Sequence, residues 1–174
     1  MDPTTEAAFV EFAQAARGRL RHTVYLMCGD WDLASDHVQE GLIRVYLAWP
    51  RLTRAGGEHG YARKAVVSAF LDHARKRSSR EIAAEPDPHV ASGQDVAESV
   101  SARAALMAAL AQLPPKQRAC VVLRFFEDLS VAETATALGC GEGNVKSQTS
   151  RALGSLRSMF DDSPAGELIT EGAS

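Results

Sequence analysis

Apolar residues recur at helical spacing along the first half of the chain. They occupy positions i, i+3, i+4, i+7 and i+11, which share one face of an α-helix, at Phe9, Phe12, Ala13, Ala16 and Leu20. This pattern is broken at Gly29 and Asp30. A second helix is predicted to begin near Asp32, a residue type that caps helices well, and to stop at Pro50. Residues 51–60 are then predicted to form a loop, and residues 61–80 a third helix.

The periodicity disappears over residues 81–99 and returns in the second half. The segment 81–99 holds two prolines, one glycine and only acidic charges, a composition typical of a flexible linker. Two helices follow, the second with Pro115 in its first turn, where a missing N–H costs nothing. Ser130 and Glu133 have the S-x-x-E spacing of a capping box, which fixes the start of the next helix. Gly139 is the residue type expected just past its end.

The stretch 138–156 completes a helix-turn-helix. A short capped helix, a glycine turn and a second amphipathic helix follow one another in the order of this motif. The second helix is predicted to bury Val145, Ala152, Leu153 and Leu156. Its remaining surface carries polar side chains of the types that contact base edges and phosphates, namely Asn144, Lys146, Ser147, Gln148 and Arg151. Because no strand pattern occurs, we predict an all-α protein.

The bulk composition sets limits on the class of protein. The 174 residues carry a net charge of −3, and 45% of them are hydrophobic, which is enough for a core in one or two small domains. No apolar run approaches the roughly 18 residues of a membrane span, and residues 1–12 lack the basic start of a secretory signal. Cys28, Cys120 and Cys140 show no C-x-x-C spacing and are interpreted as reduced, buried thiols of a cytoplasmic protein.

Charge is distributed unevenly along the chain. Residues 61–80 hold six basic residues and one acidic residue, whereas residues 81–100 hold five acidic residues and no lysine or arginine. The segment 161–174 holds four acidic residues and is predicted to be disordered. A basic block beside acidic blocks indicates local electrostatic specialisation. We therefore predict two small helical domains, at 1–80 and 100–160, joined by a flexible acidic linker at 81–99 and followed by a disordered acidic tail at 161–174.

Sequence patterns typical of catalysis are missing. The five histidines are scattered without metal spacing such as H-E-x-x-H, and neither G-x-S-x-G nor a phosphate-binding loop occurs. The glycine-rich run "GGEHG" at 56–60 follows no predicted strand, so it does not indicate a nucleotide site. We therefore predict that the protein is not an enzyme and that it has no catalytic residues, no cofactor and no metal.

Three motifs together resemble the extracytoplasmic-function sigma factors of bacterial RNA polymerase, in the sigma-70 family. The stretch "LPPKQRACVVLRFFEDLSVAETATALGCGEGNVKSQTSRALGSLR" is similar to their C-terminal DNA-binding domain. The stretches "DLASDHVQEGLIRVYLAWPRL" and "YARKAVVSAFLDHARKRSSRE" are similar to their N-terminal domain. The resemblance covers residues 10–158, and Gln148 and Thr149 point to the actinobacterial SigE-like subgroup. The chain departs from many members at Ser68, where they carry Asn, and at Gly141, where they carry Ser.

The resemblance implies a function and assigns roles to the N-terminal domain. It implies an alternative sigma factor that binds core polymerase, recognises the minus-ten and minus-thirty-five promoter elements and promotes transcription initiation. In the family, the "D-x-V-Q-E" helix docks on the coiled coil of the polymerase β′ subunit, which corresponds here to Asp36, Gln39 and Glu40, with Arg44 one turn on.

The helix at 61–80 resembles the one that recognises and opens the minus-ten element. Residues 51–60 correspond to a loop whose pocket takes a base that has left the stack. The residues implied in minus-ten recognition and strand opening are Arg63, Lys64, Ser68, Asp72, His73, Arg75, Lys76 and Arg77.

For the C-terminal domain, the resemblance implies that the recognition helix binds the minus-thirty-five element. The implied partners are promoter DNA and core RNA polymerase, through its β′ coiled coil and its β flap. As in many members, an anti-sigma factor that covers both domains is a further candidate partner, and no membrane is implied. The implied contacts to the minus-thirty-five element are Asn144, Lys146, Ser147, Gln148 and Arg151.

One alternative function remains open on the residues alone. A stand-alone helix-turn-helix regulator would use the same C-terminal half, with the N-terminal half as a dimerisation or sensing module. A sensing module should show the pattern of a ligand pocket, whereas the N-terminal half shows a three-helix unit with a basic end. The two functions differ in whether the chain acts through core polymerase.

Overall fold

The computed structural model describes residues 2–81 and 98–161 of the chain, and within them the fold is all-α, as predicted. The N-terminal half consists of α1 (Pro3–Cys28), α2 (Trp31–Ala55) and α3 (Glu58–Glu81). The C-terminal half consists of α4 (Glu98–Gln112), α5 (Pro115–Val121), a π-helical turn (Val122–Phe126), α6 (Val131–Leu138) and α7 (Glu142–Asp161). The predicted linker and acidic tail lie almost entirely outside the described residues. No described helix is long and apolar enough to cross a membrane.

Aspartates and a glycine set the boundary between α1 and α2. Gly29 ends α1 in the left-handed conformation, with φ of 73°. The carboxylate of Asp30 accepts the backbone N–H groups of Asp32 at 2.7 Å and Leu33 at 2.9 Å. The prediction of Asp32 as the cap is therefore wrong by two residues. Asp30 has the extended backbone that a cap requires, whereas Asp32 already lies in the first helical turn.

The predicted stop at Pro50 is also wrong, because α2 continues through this residue to Ala55. A proline inside a helix costs about 3 kcal/mol through its missing N–H and its ring clash. Here Trp49 and Leu52, on either side of it, are both buried in the core, which offsets that cost. The predicted loop at 51–60 therefore shrinks to Gly56 and Gly57, whose φ values of 74° and 92° suit glycine.

Close packing of α2 against α3 explains the glycine inside α2. A Cβ atom added at Gly41 would lie 3.0 Å from the backbone N of Val66 and 3.1 Å from its Cα, and closer still to its side chain. Backbone atoms cannot move away as a flexible side chain can. Gly41 therefore sets the distance between α2, which carries the predicted docking residues, and α3, which carries the basic block.

Replacing Gly41 with Ala is expected to destabilise the protein by roughly 1–3 kcal/mol, the usual cost of overpacking. The matched control is Gly18→Ala in α1, where an added Cβ meets nothing within 4 Å. That change should stabilise the protein by about 0.5–1 kcal/mol, because alanine is the better helix former. Urea unfolding of both variants measures the two effects. Equal stability changes in the two variants would show that the α2–α3 distance is not constrained at Gly41.

Helix α6 begins and ends at the predicted residues. The Ser130 hydroxyl accepts the N–H of Glu133 at 3.1 Å, and the Glu133 carboxylate accepts the N–H of Ser130 at 2.8 Å. This capping box is confirmed, as is the left-handed Gly139 at the end of α6, with φ of 64°. A small core holds α4, α5 and α7 together and is formed by Leu110, Leu113, Val121 and Ala152.

The two halves pack against each other in the described arrangement. The main core joins residues of α1, α2 and α3 with apolar residues of the second half, namely Ala119, Val122, Leu123, Leu129 and Ala137. Polar groups also cross the joint, since Arg118 Nη1 donates to the backbone oxygen of Met27 at 2.6 Å. The joint places α5, the π-helical turn and α6 against α1 and α3. Separate folding of the two predicted domains stays a prediction.

Candidate nucleic-acid interface

Helix α7 presents the predicted recognition residues outward. Val145 and Ala152 are fully buried, which fixes the rotation of the helix, whereas Leu153 and Leu156 are only half-buried. The oxygen of Gly141 accepts the N–H groups of Asn144 and Val145, so Gly141 occupies the cap position. Of the five predicted contact residues, Gln148 is half-buried. The other four are exposed: Asn144, Lys146, Ser147 and Arg151.

Helix α3 buries one face and exposes another along its length. Ala62, Val66, Val67 and Phe70 are buried in the core. At about 100° per residue, Lys64, Ser68, Asp72 and Arg75 share one stripe away from that core. Lys76 and Arg77 follow on the exposed C-terminal turns. Most of the predicted minus-ten residues thus lie along one side of α3 or at its basic end.

Asp72 forms two ion pairs, one within α3 and one that connects α3 to α2. Its carboxylate lies 3.2 Å from Arg75 Nη2 and 3.7 Å from Arg44 Nη2. Arg44 also pairs with Glu40 one turn before it in α2. All four side chains keep at least a third of their surface exposed, so each pair contributes little to stability. Their effect is to orient Arg44 toward the basic helix.

The recognition helix and the basic helix line one cleft of about 750 Å³. Ser68, Asp72 and Arg75 of α3 lie on one side, and Gln148 and Arg151 of α7 on the other. Lys116 of α5 adds a third cation at the base of the recognition helix. The structure therefore brings together residues predicted to contact two different promoter elements.

Two predicted minus-ten residues, Arg63 and His73, lie off the basic stripe of α3 and away from this cleft. Arg63 is half-buried and lines a separate cavity of about 420 Å³ with Arg19, Thr23 and Glu127. The pKa of Glu133 is lowered, chiefly because its carboxylate accepts hydrogen bonds from the N–H and the hydroxyl of Ser130. The positive charge of Arg63 lowers this pKa further. Arg63 therefore faces the start of α6 in this arrangement.

His73 lies on the side of α3 that faces α2. Its ring centre is 5.2 Å from that of His37, which is buried in α2. Burial lowers the pKa of His37, and the neighbouring His73 lowers it further, although Glu40 and Asp36 act against this. The buried imidazole of His37 is therefore kept neutral, and the exposed ring of His73 lies at the edge of the α2–α3 contact, off the basic stripe.

The predicted docking residues on α2 form an exposed stripe with an apolar centre. Asp36, Gln39 and Glu40 are all exposed. Ile43 and Leu47 continue the same stripe at helical spacing and are 54% and 76% exposed. Ile43 and Leu47 are not among the docking residues predicted from the sequence. The available signal was that both fall outside the buried stripe of an otherwise amphipathic helix.

A shallow basic pocket lies where α2 ends and α3 begins. It has a volume of about 470 Å³ and is lined by Arg44, Arg51, Arg54 and the ring of Tyr61. The segment predicted to supply a base-binding pocket thus contributes two arginines from its helical part. An aromatic ring among cations is the combination that binds unstacked bases.

The thiols and acidic groups in the described part of the chain form no further site. Burial raises the pKa of Cys120 to about 11, so this thiol stays protonated, whereas Cys28 and Cys140 are only half-buried. Among residues 2–81 and 98–161, no group of three or more His, Cys, Asp or Glu side chains is placed to hold a metal ion.

Two family models match successive parts of the chain. Residues 12–80 match the family model "Sigma-70 region 2", and residues 103–156 match "Sigma-70, region 4". The chain is 36% identical over 153 residues to the RNA polymerase sigma-E factor of Streptomyces avermitilis, which covers 88% of this chain and 85% of that protein. It is 39% identical over 155 residues to the sigma-E factor of Streptomyces antibioticus, covering 88% and 84%.

A solved structure shares the fold at low sequence identity. The sigma factor RpoE of Bartonella quintana, solved in complex with the anti-sigma factor NepR, superposes with a TM-score of 0.69. The match covers 87% of this chain and 98% of that chain at 22% identity, so it is a likeness of fold.

Proposed function

The chain belongs to the extracytoplasmic-function sigma factors of the sigma-70 family and directs RNA polymerase in transcription initiation, and from this premise we propose that three of its surfaces divide the work. The α2 stripe docks on core polymerase, α3 opens the minus-ten element, and α7 binds the minus-thirty-five element. The family consists of initiation factors, not enzymes, so the chain contributes binding and the polymerase contributes catalysis. Such a factor acts in the cytoplasm, where the polymerase is.

The docking surface is the α2 stripe formed by Asp36, Gln39, Glu40, Ile43 and Leu47. Its apolar centre supplies the contact area on which stable interfaces depend, and its carboxylates provide the surrounding polar rim. A partner with exposed arginines, such as the β′ coiled coil, suits this surface. Arg44 was predicted to dock as well; because it pairs with Asp72 and lines the basic pocket, we propose that it also serves the DNA side.

The strand-opening surface combines the basic stripe of α3 with the pocket beside Tyr61. Lys64, Arg75, Lys76 and Arg77 bind phosphates of the minus-ten region, a contact that carries affinity without sequence preference. The pocket then holds one base that has left the stack, so that the opened strands do not re-pair. Ser68 and Asp72, on the same stripe of α3, are proposed to contact bases.

The recognition surface is the N-terminal half of α7. A helix whose first two turns carry exposed Asn144, Lys146 and Ser147 enters the major groove with these residues leading. Gln148 and Arg151 follow one turn on, and both side-chain types can form paired hydrogen bonds with a base edge. The C-terminal half also supplies the contact to the polymerase β flap.

The observation that carries this proposal is the placement of two unlike exposed surfaces on adjacent helices. The stripe on α2 is acidic and apolar, the stripe on α3 is basic, and Arg44–Asp72 links the two helices at 3.7 Å. A regulator acting without polymerase has no use for the first surface. The experiment is therefore transcription with core polymerase on promoters identified by mapping transcription starts after forced expression. If the chain binds those promoters alone and adds nothing to core polymerase, the stand-alone regulator is correct.

Replacing Tyr61 with Ala is expected to reduce open-complex formation about 5- to 100-fold, since stacking of one base on an aromatic ring contributes about 1–3 kcal/mol. Tyr61→Phe keeps the ring and should retain most of the activity. Permanganate footprinting of unpaired thymines on a mapped promoter measures the opening. Equal loss in both variants would assign Tyr61 to folding or hydroxyl contacts and not to stacking.

We further propose that an inhibitory protein, where one acts on this chain, covers the α2 stripe together with the basic helix. These are the surfaces whose loss would prevent polymerase docking and promoter opening. A pull-down of core polymerase in the presence of a candidate inhibitor tests this directly. An inhibitor that leaves polymerase binding unchanged would contradict the proposed contact with α2.

A further inference from the structure

The closed arrangement of the two halves is incompatible with simultaneous binding of both promoter elements. The elements lie about 25 base pairs apart, or roughly 85 Å at 3.4 Å per pair. A compact chain of this length has a radius of gyration of only roughly 16 Å. In addition, Gln148 and Arg151 face Ser68 and Arg75 across one cleft. The two promoter elements would both have to enter this single cleft. The closed form must therefore open before the factor works.

The joint contains one acidic side chain that reaches from the second half into the first. Glu127 keeps only 9% of its side chain exposed. Its Oε1 accepts the hydroxyl of Thr23 at 2.6 Å, and its Oε2 accepts Arg19 Nε at 3.2 Å and lies 3.1 Å from Arg19 Nη2. Thr23 is itself buried, and its hydroxyl lies closer to the carboxylate than to its second partner, the backbone oxygen of Arg19 at 3.0 Å.

The π-helical turn holds Glu127 in that position. The N–H of Glu127 donates to the oxygen of Val122 at 3.0 Å, the five-residue spacing that closes a π turn. Apolar neighbours on either side, Leu123 and Leu129, are buried in the shared core. The carboxylate is therefore presented to α1 by a backbone geometry that is uncommon in helices.

We propose that Glu127, bound to Thr23 and Arg19 of α1, is the polar latch of a closed state in which the two promoter-binding surfaces are withheld from DNA. The inference rests on the proposed function for its consequence but not for its geometry. In the closed state these partners replace most of the water around the carboxylate, which is only 9% exposed. On opening it regains hydration, so the latch is reversible. Binding to core polymerase then selects the open state.

The latch is tested with Thr23→Val, which keeps the shape of the side chain and removes the hydroxyl. Fluorophores introduced through unnatural amino acids at exposed positions 11 and 158 report the separation of the halves by energy transfer in the full chain. The wild type should show one high-transfer population. Thr23→Val should raise the ratio of low-transfer to high-transfer molecules at least about tenfold, the factor for losing one hydrogen bond to a charged group.

Two variants make the measurement specific. Thr23→Ser restores the hydroxyl and should restore the closed population. Thr53→Val is the matched control. Like the Thr23 hydroxyl, the Thr53 hydroxyl donates to the backbone oxygen four residues before it, at 3.1 Å, but it has no partner in the other half of the chain among the described residues. Circular dichroism confirms that each variant keeps its helix content. Because the apparent affinity for core polymerase scales with the open fraction, Thr23→Val should also bind core more tightly at limiting concentration.

The latch would be refuted by an extended wild-type chain, or by a folded Thr23→Val variant with an unchanged transfer distribution. Failure of the wild type to stimulate core polymerase would instead sink the proposed function, while the transfer data would still decide on the latch.

Discussion

Replacing Arg75, Lys76 and Arg77 with Ala is expected to weaken promoter binding by the polymerase holoenzyme roughly a hundredfold at about 0.15 M salt. These residues lie on the exposed C-terminal turns of α3, where the helix carries its basic block. Each phosphate contact releases about 0.7–0.9 of a condensed counterion, which corresponds to nearly fivefold in affinity at that salt concentration. The three lost contacts, at nearly fivefold each, together weaken binding by roughly a hundredfold.

The salt dependence of binding is the diagnostic measurement for this variant. The slope of log affinity against log salt should become shallower by about 2–3, since three phosphate contacts are missing. Association with core polymerase should stay within about twofold of wild type, because the docking stripe lies on α2. As the control, Arg103→Ala with Arg157→Ala removes exposed cations outside the proposed surfaces and should leave the slope unchanged. If the triple variant loses polymerase association, the basic block is a docking surface.

Reversing the charge of Asp36 and Glu40 to Lys is expected to raise the Kd for core polymerase at least about a hundredfold. Charge reversal places two cations against the arginines proposed for the partner, and like-charge juxtaposition at an interface costs several kcal/mol. Lys at position 40 also repels Arg44, which now pairs with Glu40. Competition with a labelled sigma factor for limiting core polymerase measures the change.

The control for this reversal is Glu11→Lys on α1. Glu11 is exposed and lies on the outer side of its helix, opposite the buried Ala16 and Leu20. The substitution Glu11→Lys alters the net charge in the same direction and leaves the α2 stripe unchanged. Similar loss in both cases would indicate a general effect of net charge. No loss in the Asp36 and Glu40 variant would remove the α2 stripe as the docking surface.

Local side-chain chemistry made several elements predictable from the sequence. The capping box at Ser130 and Glu133, the helix break at Gly29 and the glycine just past α6 at Gly139 depend only on neighbouring residues, and all three are confirmed. Pro50 misled because the helix-breaking cost of proline is local, whereas the burial of Trp49 and Leu52 that offsets it depends on the tertiary fold. A single sequence shows the first effect and not the second.

The joint between the halves could not be predicted for a related reason. Ala119, Val122 and Leu123 resemble residues that fill the small core of their own half, and only the fold shows that they enter the larger one. Likewise, Glu127 looks like a solvated charge beside a turn. Of the candidate sites, the outward face of α7 followed from periodicity, but the approach of α7 to α3 and the position of Arg63 depend on this joint.

The π-helical turn at Val122–Phe126 holds one residue more than an α-helical turn would. This extra residue sets the rotation of the following chain around the axis of α5. Deleting one residue there would restore ordinary α-helical pitch and turn the downstream chain by about 100° around the axis of α5. Leu129 would leave the shared core, and Ser130 would start its helix in a new direction. The length of this short segment therefore sets where the DNA-binding motif points, so substitutions at its exposed positions Phe125 and Phe126 should be tolerated far better than single-residue insertions or deletions.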